Sequence, residues 1–523
     1  MLEFTFLFQF QSIFLPNRFI SLILPLKPCP LSAFKKLASE TAIYGLPTIV
    51  GRLINFFLVP LYTGLFNPDD FGVITSMYAY AGFFNVALTY GMETTFFRFA
   101  SANPENDKVY STAYNSVIVT SLLFLFIAIL FKQPIANWME IGDTPQYFLW
   151  FAIIAVFDAL VAIPFVKLRQ HGKAIKYAAL RSFNIAVNIL INVFFLILCP
   201  YLLEQGYDWV NSVYNPNIGI GYIFIAQLVA SIITWPFVYP ENMQFNFGFD
   251  FKLWKKMIVY ALPLLFVGMA GMVNELIDRI LLPKLLPPDT AAYQLGLYGA
   301  AYKLSILMTL FVQAYRMAAE PFLFNRSRSE GANETYATLM NYYVIVSCLI
   351  FLFVIFFLQQ FADFFLRNDA YHEGLYVVPI LLLANLFLGI YYNLSIWYKL
   401  ADKTIVGSYI SIAAAVITIV LNFITIPLIS YEGSAWTTLI AYFFMAVACY
   451  ITGKKQYHIP YQLNKIYLYL LVMALFYLIF QVIQNSNGKV GIGVSITLLA
   501  AYLGFAYAVE KGKILASFTS RRV

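Results

Sequence analysis

The chain is written in long apolar blocks, each closed by a short polar break. Crossing the hydrocarbon of a bilayer takes about 20 consecutive apolar residues in a helix. Fourteen blocks meet that length: 39–63, 70–97, 110–131, 147–166, 177–200, 218–239, 257–282, 293–318, 337–361, 374–398, 404–428, 433–453, 466–484 and 490–509. The breaks carry turn chemistry, as in Asn67-Pro68-Asp69-Asp70, Asn215-Pro216-Asn217 and Pro287-Pro288-Asp289. Apolar and polar positions do not alternate at period two, which argues against an outer-membrane barrel. The pattern predicts an all-α polytopic membrane protein with fourteen transmembrane helices.

Composition agrees. Apolar residues make up 61% of the 523 and charged residues 11%, with a mean hydropathy of +0.74. A soluble domain carries about 25% charged residues, so this chain has too few to cover a globular surface. The formal net charge of +7 would suggest nucleic acid in a soluble protein. Here position matters more than the sum, and no nucleic-acid partner is expected. With residue 38 inside and sides alternating at each span, twenty-three lysines and arginines fall on inner segments. Only Lys132, Lys284, Arg367 and Lys489 fall outside, together with acids such as Asp69, Asp70, Glu204 and Asp208. That asymmetry predicts both termini in the cytoplasm.

Residues 1–34 break the pattern, being Phe-rich and interrupted by Pro16, Pro25, Pro28 and Pro30. They lack the basic start and small-residue cleavage site of a signal peptide. The segment reads as a surface-lying or disordered tail, or an over-extended gene start. Cys29, Cys199, Cys348 and Cys449 are scattered without metal spacing, and His171, His372 and His458 fall in predicted loops. No cofactor or metal is expected.

The chain repeats itself. Tyr44-Gly-Leu-Pro47 opens the first block and Tyr260-Ala-Leu-Pro263 the seventh; Gly72-Val73 to Tyr78 matches Gly296-Leu297 to Tyr302. Lys167 to Lys173 matches Lys399 to Lys403, Asn192 matches Asn422, and Gly219-x-Gly221 matches Gly433-x-Ala435. Spans 1–6 and 7–12 thus read as two parallel six-helix lobes enclosing a cleft, a transporter arrangement. The expected divisions are an N-lobe at 35–240, a C-lobe at 241–455, two extra helices at 456–510 and a tail at 511–523. No phosphate-binding Gly-x-x-x-x-Gly-Lys loop exists, no selectivity filter or Arg-rich voltage sensor appears, and no catalytic carboxylate or His cluster converges. A secondary transporter or flippase remains.

Lys35-Lys36-Leu-Ala-Ser-Glu-Thr-Ala-Ile-Tyr44-Gly-Leu-Pro47 and Pro60-Leu-Tyr-Thr-Gly-Leu-Phe-Asn-Pro-Asp-Asp-Phe-Gly72-Val, with the 6+6+2 layout, carry a resemblance. Over about residues 35–510 the chain resembles the O-antigen (Wzx-type) polysaccharide-biosynthesis flippases. Their superfamily also holds the lipid II flippase and the MATE drug exporters. The resemblance implies a V-shaped two-lobe fold in a bacterial plasma membrane. It also implies transfer of an undecaprenyl-pyrophosphate-linked oligosaccharide from inner to outer leaflet. Its partners would be that lipid, the surrounding membrane lipids and polysaccharide polymerase or assembly proteins. A cation-coupled MATE-like exporter of drugs or metabolites is the alternative, and predicts an acid-dominated cleft. A membrane scaffold for glycan-assembly enzymes is a third reading, and leaves mid-membrane charges unexplained.

A charge at the bilayer centre costs at least about 2.5–3.5 kcal/mol, so each one asks for a reason. Arg52 lies about 20 Å into span 1 and Lys303 about 15 Å into span 8, at 1.5 Å per residue. Together they form the expected pyrophosphate clamp. Arg181, Asn184, Asn188 and Asn192 share one face of span 5, suited either to sugar hydroxyls or to interhelical hydrogen bonds. Asp158 is expected either to couple transport to Na⁺ or H⁺ or to pair with Arg52. Glu275 and Asp278 are further ion-coupling candidates, although Glu275 and Arg279, four apart, are placed to neutralise each other. Glu93, Arg98, Arg316 and Glu320 fall at inner helix ends, where long side chains reach water. Pro47 and Pro263 interrupt equivalent spans, as hinges or static kinks.

Overall fold

The computed structural model describes residues 51, 53–54, 56–102, 107–238, 248–327, 331–487 and 490–519. Every regular element among them is helical. The first half holds α1 (Pro68–Thr89), α2 (Met92–Ala102), α3 (Asp107–Leu130), α4 (Pro145–Gln170), α5 (Ala174–Val193) and α6 (Gly221–Val238). The second holds α7 (Phe251–Leu285), α8 (Pro288–Leu304), α9 (Ile306–Arg326), α10 (Ala332–Phe356), α11 (Val378–Leu394) and α12 (Thr404–Gln456). Two more follow, α13 (Leu463–Asn487) and α14 (Ile492–Thr519).

Among the described residues, 11 helices are long and apolar enough to cross a membrane, or 12 with the bent pair α8 and α9 as one span. The expected fourteen is not reached there, for two reasons. α12 joins two predicted blocks in one 53-residue element that turns at Ile429 and Ser430, whose φ of 55° is left-handed. Most of block 39–63 lies outside the described residues, as do Pro47 and Arg52.

Of the two proline positions, only Pro263 lies among the described residues. α7 runs unbroken through Pro263, since one missing amide bond is tolerated where neighbouring helices re-satisfy the backbone. The breaks fall instead in the second and eighth spans, which the repeat makes equivalent. α1 ends at Tyr90 (φ 33°) and Gly91 (φ 75°) before α2 begins. α8 and α9 meet at Ser305 with a bend of 51°.

The two halves meet backbone to backbone. Gly72 on α1 faces the carbonyl of Ala292 on α8, and Gly296 on α8 faces the carbonyl of Pro68 on α1. A Cβ on either glycine would overlap that carbonyl. Positions 72 and 296 are repeat equivalents, and so are 68 and 292. The contact is therefore reciprocal, as a twofold axis between like units requires. Small residues permit this approach, which supplies dispersion where lipid offers no hydrophobic drive between helices.

α7 ties the halves together at the lysine-rich end. Met257 and Ala261 are buried in a cluster with Leu88, Met92, Phe96 and Val109 of the first half. Trp254 Nε1 donates to Ser116 Oγ at 2.8 Å and the Asp250 amide to Thr112 Oγ1 at 3.2 Å. Asp250 caps α7, accepting from the amides of Lys252 and Leu253 at 2.9 and 3.0 Å. Those bonds hold its carboxyl below the usual carboxylate range. Further along, α7 returns to its own half: Asn274 Nδ2 donates to the Ser411 carbonyl and Asn274 Oδ1 accepts from Thr418, both at 3.1 Å. α13 and α14 lie against α10, joined by Tyr502 to the Ile345 carbonyl at 3.1 Å and Ser495 to the Phe356 carbonyl at 3.2 Å.

Overpacking a close contact costs about 1–3 kcal/mol. Gly72→Ala and Gly296→Ala are each expected to lower the thermal-unfolding midpoint in detergent. Gly271→Ala, where nothing lies within 4 Å, is expected to leave it in place. A Gly72→Ala protein as stable as the parent would show that α1 and α8 do not depend on this approach.

Candidate functional site

A cavity of about 430 Å³ opens where the halves meet. Phe56 and Tyr62 line it ahead of α1, followed by Phe71, Thr75 and Tyr78 of α1, Asn188 of α5 and Gln227 of α6. The second half contributes Glu275 and Arg279 of α7, Tyr302 and Lys303 of α8, and Thr309 of α9. Repeat equivalents Tyr78 and Tyr302 both reach it, because the glycine contact nearly two helical turns away sets α1 and α8 side by side.

The charges along this wall are held in different ways. Lys303 sits in the last turn of α8, where the exposed carbonyls of a broken span favour a cation. The Arg279 guanidinium lies 4.3 Å from the Tyr302 ring centroid, a stacking that suits its planar, weakly hydrated group. Glu275 and Arg279 form no direct ion pair among the described residues, although Asp278 and Glu275 both lie close enough to favour the Arg279 charge. Glu275 and Arg279 line the cavity. Arg279 is thus the cation that the sequence argument discounted. Its stacking partner lies on another helix, so no spacing along α7 could have signalled it. Asp278 turns away, buried, and accepts from Tyr298 Oη at 2.5 Å.

The polar face of span 5 divides. Asn184 Nδ2 donates to Thr234 at 3.0 Å, and Asn188 Nδ2 to Gln227 Oε1 at 2.9 Å. Asn192 is fully buried; its Nδ2 donates to the Asn188 carbonyl at 2.9 Å and its Oδ1 accepts from Tyr62 at 3.1 Å. Asn422, its repeat equivalent, does the same work. It donates to the Thr418 carbonyl at 2.9 Å and accepts from Ser434 at 3.1 Å. Of the three asparagines on α5, only Asn188 lines the cavity.

Arg181 and Asp158 belong elsewhere. With Asn85, Glu93, Arg169 and Tyr177 they line a second pocket of about 200 Å³ within the first half. Arg181 lies 4.3 Å from the Phe165 ring centroid. Arg169 and Glu93 form a half-exposed ion pair at 3.9 Å, a class worth about 0–1 kcal/mol. Asp158 Oδ1 accepts from Ser231 at 2.8 Å; its expected partner Arg52 lies outside the described residues. Gln227 Nε2 reaches Ser231 at 3.4 Å. A chain of side chains, Asp158–Ser231–Gln227–Asn188, therefore connects the small pocket to the cavity. At the same end of the second half, Glu320 pairs with Lys399 and, at 3.8 Å, with Arg316. Among the described residues no group of three or more His, Cys, Asp or Glu is placed to hold a metal.

Leaving a buried polar group unpaired costs about 1–3 kcal/mol. Asn192→Ala and Asn422→Ala are expected to lower thermal stability by amounts in that range and similar to each other. A large loss in one and none in the other would show that the duplicated bonds are not equivalent supports.

The sequence profile of a family described as polysaccharide biosynthesis protein matches residues 37–327. A second profile, MatE, matches residues 263–424. No curated protein matches the chain. Among solved structures, the lipid II flippase MurJ in an inward closed conformation aligns with a TM-score of 0.71 at 15% identity, covering 90% of this chain and 99% of that one. An inward-facing multidrug resistance MATE family transporter of the MOP superfamily aligns with a TM-score of 0.62 at 11% identity, covering 79% and 94%. The Vibrio cholerae MATE transporter VcmN in its bent form aligns with a TM-score of 0.52 at 15% identity, covering 84% and 99%. These identities establish likeness of fold.

Proposed function

The chain belongs to the polysaccharide biosynthesis protein family, in the MOP superfamily of transporters and flippases, and we propose that it flips an undecaprenyl-pyrophosphate-linked oligosaccharide. The cargo moves from the inner to the outer leaflet of a bacterial plasma membrane, for surface-polysaccharide synthesis. The observation that carries this reading is the cavity's charge. Arg279 and Lys303 line it against Glu275 alone among the described residues, an excess of cations that suits a diphosphate. Arginine chelates such a group through two parallel hydrogen bonds, and lysine adds a point charge. Arg52, by its position in the first span, is proposed as a further cation of this clamp. The remaining lining is amide, hydroxyl and aromatic, as a sugar head requires, while the isoprenoid tail stays in lipid.

Alternating access is the proposed motion, with the broken second and eighth spans as its flexible points. The lysine-rich end is taken as cytoplasmic, with both termini there and membrane lipids and polysaccharide-assembly proteins as neighbours. Na⁺ or H⁺ coupling is proposed at Asp158, whose side-chain relay leads to the cavity, with Glu275 and Asp278 as second candidates. The MatE match over residues 263–424 favours one rival, a cation-coupled exporter of drugs or metabolites. Its cavity would need an excess of acids.

The test is mass spectrometry of undecaprenyl-linked glycans in cells lacking the gene, complemented by wild type, Lys303→Gln or Arg279→Gln. The lipid-linked oligosaccharide is expected to accumulate without the protein and to clear with wild type alone. Each variant should cut clearance at least about tenfold, the equivalent of one 1.4 kcal/mol interaction. An unchanged lipid pool with increased sensitivity to cationic drugs would transfer the assignment to the exporter. Asp158→Asn is expected to flatten the dependence of transport on external pH, and an unaltered pH profile would remove Asp158 from the coupling path.

A further inference from the structure

We infer that Tyr78, Asn188 and Gln227 form a sugar-reading subsite on the first-half wall of the cavity, selecting the sugar next to the diphosphate. This deepens the proposed flippase reading and rests on it. The argument begins with what the fold needs and what it does not. Asn192 and Asn422 each donate to the carbonyl four residues back and accept from a hydroxyl, Tyr62 in one half and Ser434 in the other, so a bonded amide at this position is structural support common to both halves. The Asn188–Gln227 pair has no such twin. By the repeat offsets that relate Asn192 to Asn422 and Gly219 to Gly433, its counterparts are Thr418 and Ala441. Thr418 spends its hydroxyl on Asn274 and on the Ala414 carbonyl, and Ala441 is a buried methyl. An amide pair serving only to join two helices would be expected in both halves.

The amides are also held with capacity to spare. A carboxamide has two donors and two acceptor lone pairs. Asn188 donates once to Gln227 at 2.9 Å and accepts once from Asn192 at 3.2 Å. Gln227 accepts that bond and donates once, to Ser231 at 3.4 Å. Each retains one N–H and one lone pair, and both residues line the cavity; that is the donor-and-acceptor combination that a sugar hydroxyl matches. Their other bonds fix the amide planes, so little ordering is left for the ligand to impose.

Tyr78 supplies the apolar half of the subsite. Its ring packs edge-on with Phe151 at 5.5 Å and Phe224 at 6.5 Å, yet the residue is 40% exposed and lines the cavity. Its repeat equivalent Tyr302 is instead covered by the Arg279 guanidinium. One tyrosine of the pair therefore orients a cation, and the other leaves a ring face for the C–H surface of a pyranose. Amides and a tyrosine ring carry no net charge, so the diphosphate is held chiefly by Arg279 and Lys303 from the facing half.

The experiment is native mass spectrometry of the purified full-length protein. The probes are bare undecaprenyl diphosphate and its glucosyl, galactosyl, N-acetylglucosaminyl and N-acetylgalactosaminyl conjugates. Wild type is expected to bind at least one conjugate about tenfold more tightly than the bare lipid, one well-made polar contact by the 1.4 kcal/mol rule. Gln227→Leu and Tyr78→Leu are expected to bring that ratio within twofold of unity, and Tyr78→Phe to restore it by keeping the ring. Lys303→Gln should weaken all five lipids together and leave the ratio standing. A ratio that survives Gln227→Leu and Tyr78→Leu, or a wild type without preference over the bare lipid, overturns the subsite. Failure to bind any undecaprenyl diphosphate lipid overturns the flippase reading itself. Thermal unfolding of each variant separates lost recognition from lost folding.

Discussion

Hydrocarbon solvates neither a peptide group nor a charge, and the rest of this molecule follows from that constraint. Backbone groups close on themselves in helices. Side-chain amides inside the spans are bonded across helices or back onto their own, as Asn184, Asn192 and Asn422 are. Ionised groups have fewer refuges. They pair near helix ends, as Glu93 with Arg169 and Glu320 with Lys399, or line an internal cavity, as Glu275, Arg279 and Lys303 do. Where a charge sits at mid-membrane therefore says where the protein keeps a polar space.

Duplication makes that space and then departs from symmetry within it. Reciprocal contacts at Gly72 and Gly296 bring α1 and α8 together, and the equivalent tyrosines nearly two turns further line one cavity. Past this shared frame the halves specialise. Lys303 corresponds to Ala79 by the same offset, and Arg279 to Thr63 by the offset relating Tyr260 to Tyr44. The second half supplies charge at these positions, where the first has Ala79 and Thr63, and the first half lines its wall with the amides of Asn188 and Gln227 instead. Because supports such as Asn192 and Asn422 are common to both halves, the differences stand out as work the fold does not require.

Helical periodicity reports a face, whereas neighbouring helices decide what the face meets. Asn184, Asn188 and Asn192 share a face of α5, yet Thr234 and Tyr62 engage two of them and only Asn188 reaches the cavity. Asp278 and Arg279 are adjacent in sequence, and one helical step of about 100° separates burial against Tyr298 from the cavity wall. Arg181, expected on the substrate-facing side of span 5, and Asp158, expected as a coupling site or partner of Arg52, lie in a separate pocket because α4 and α5 enclose space of their own. The span breaks escaped a reading based on proline. A left-handed turn at Tyr90-Gly91 and a bend at Ser305 depend on how α1 and α8 are held, more than on ring chemistry along the chain.

The sequence alone determined the solvent, the secondary structure and the duplication. Each is written as a local pattern: run length, turn residues, basic loops, a repeated motif. Only the tertiary structure decided that Arg279 joins Lys303, that Asp278 and Asn192 are supports, and that Asp158 reaches the cavity through Ser231, Gln227 and Asn188. Those outcomes depend on which helices become neighbours across the bundle. That is a property of packing between segments far apart in the chain, and no periodicity within one segment encodes it.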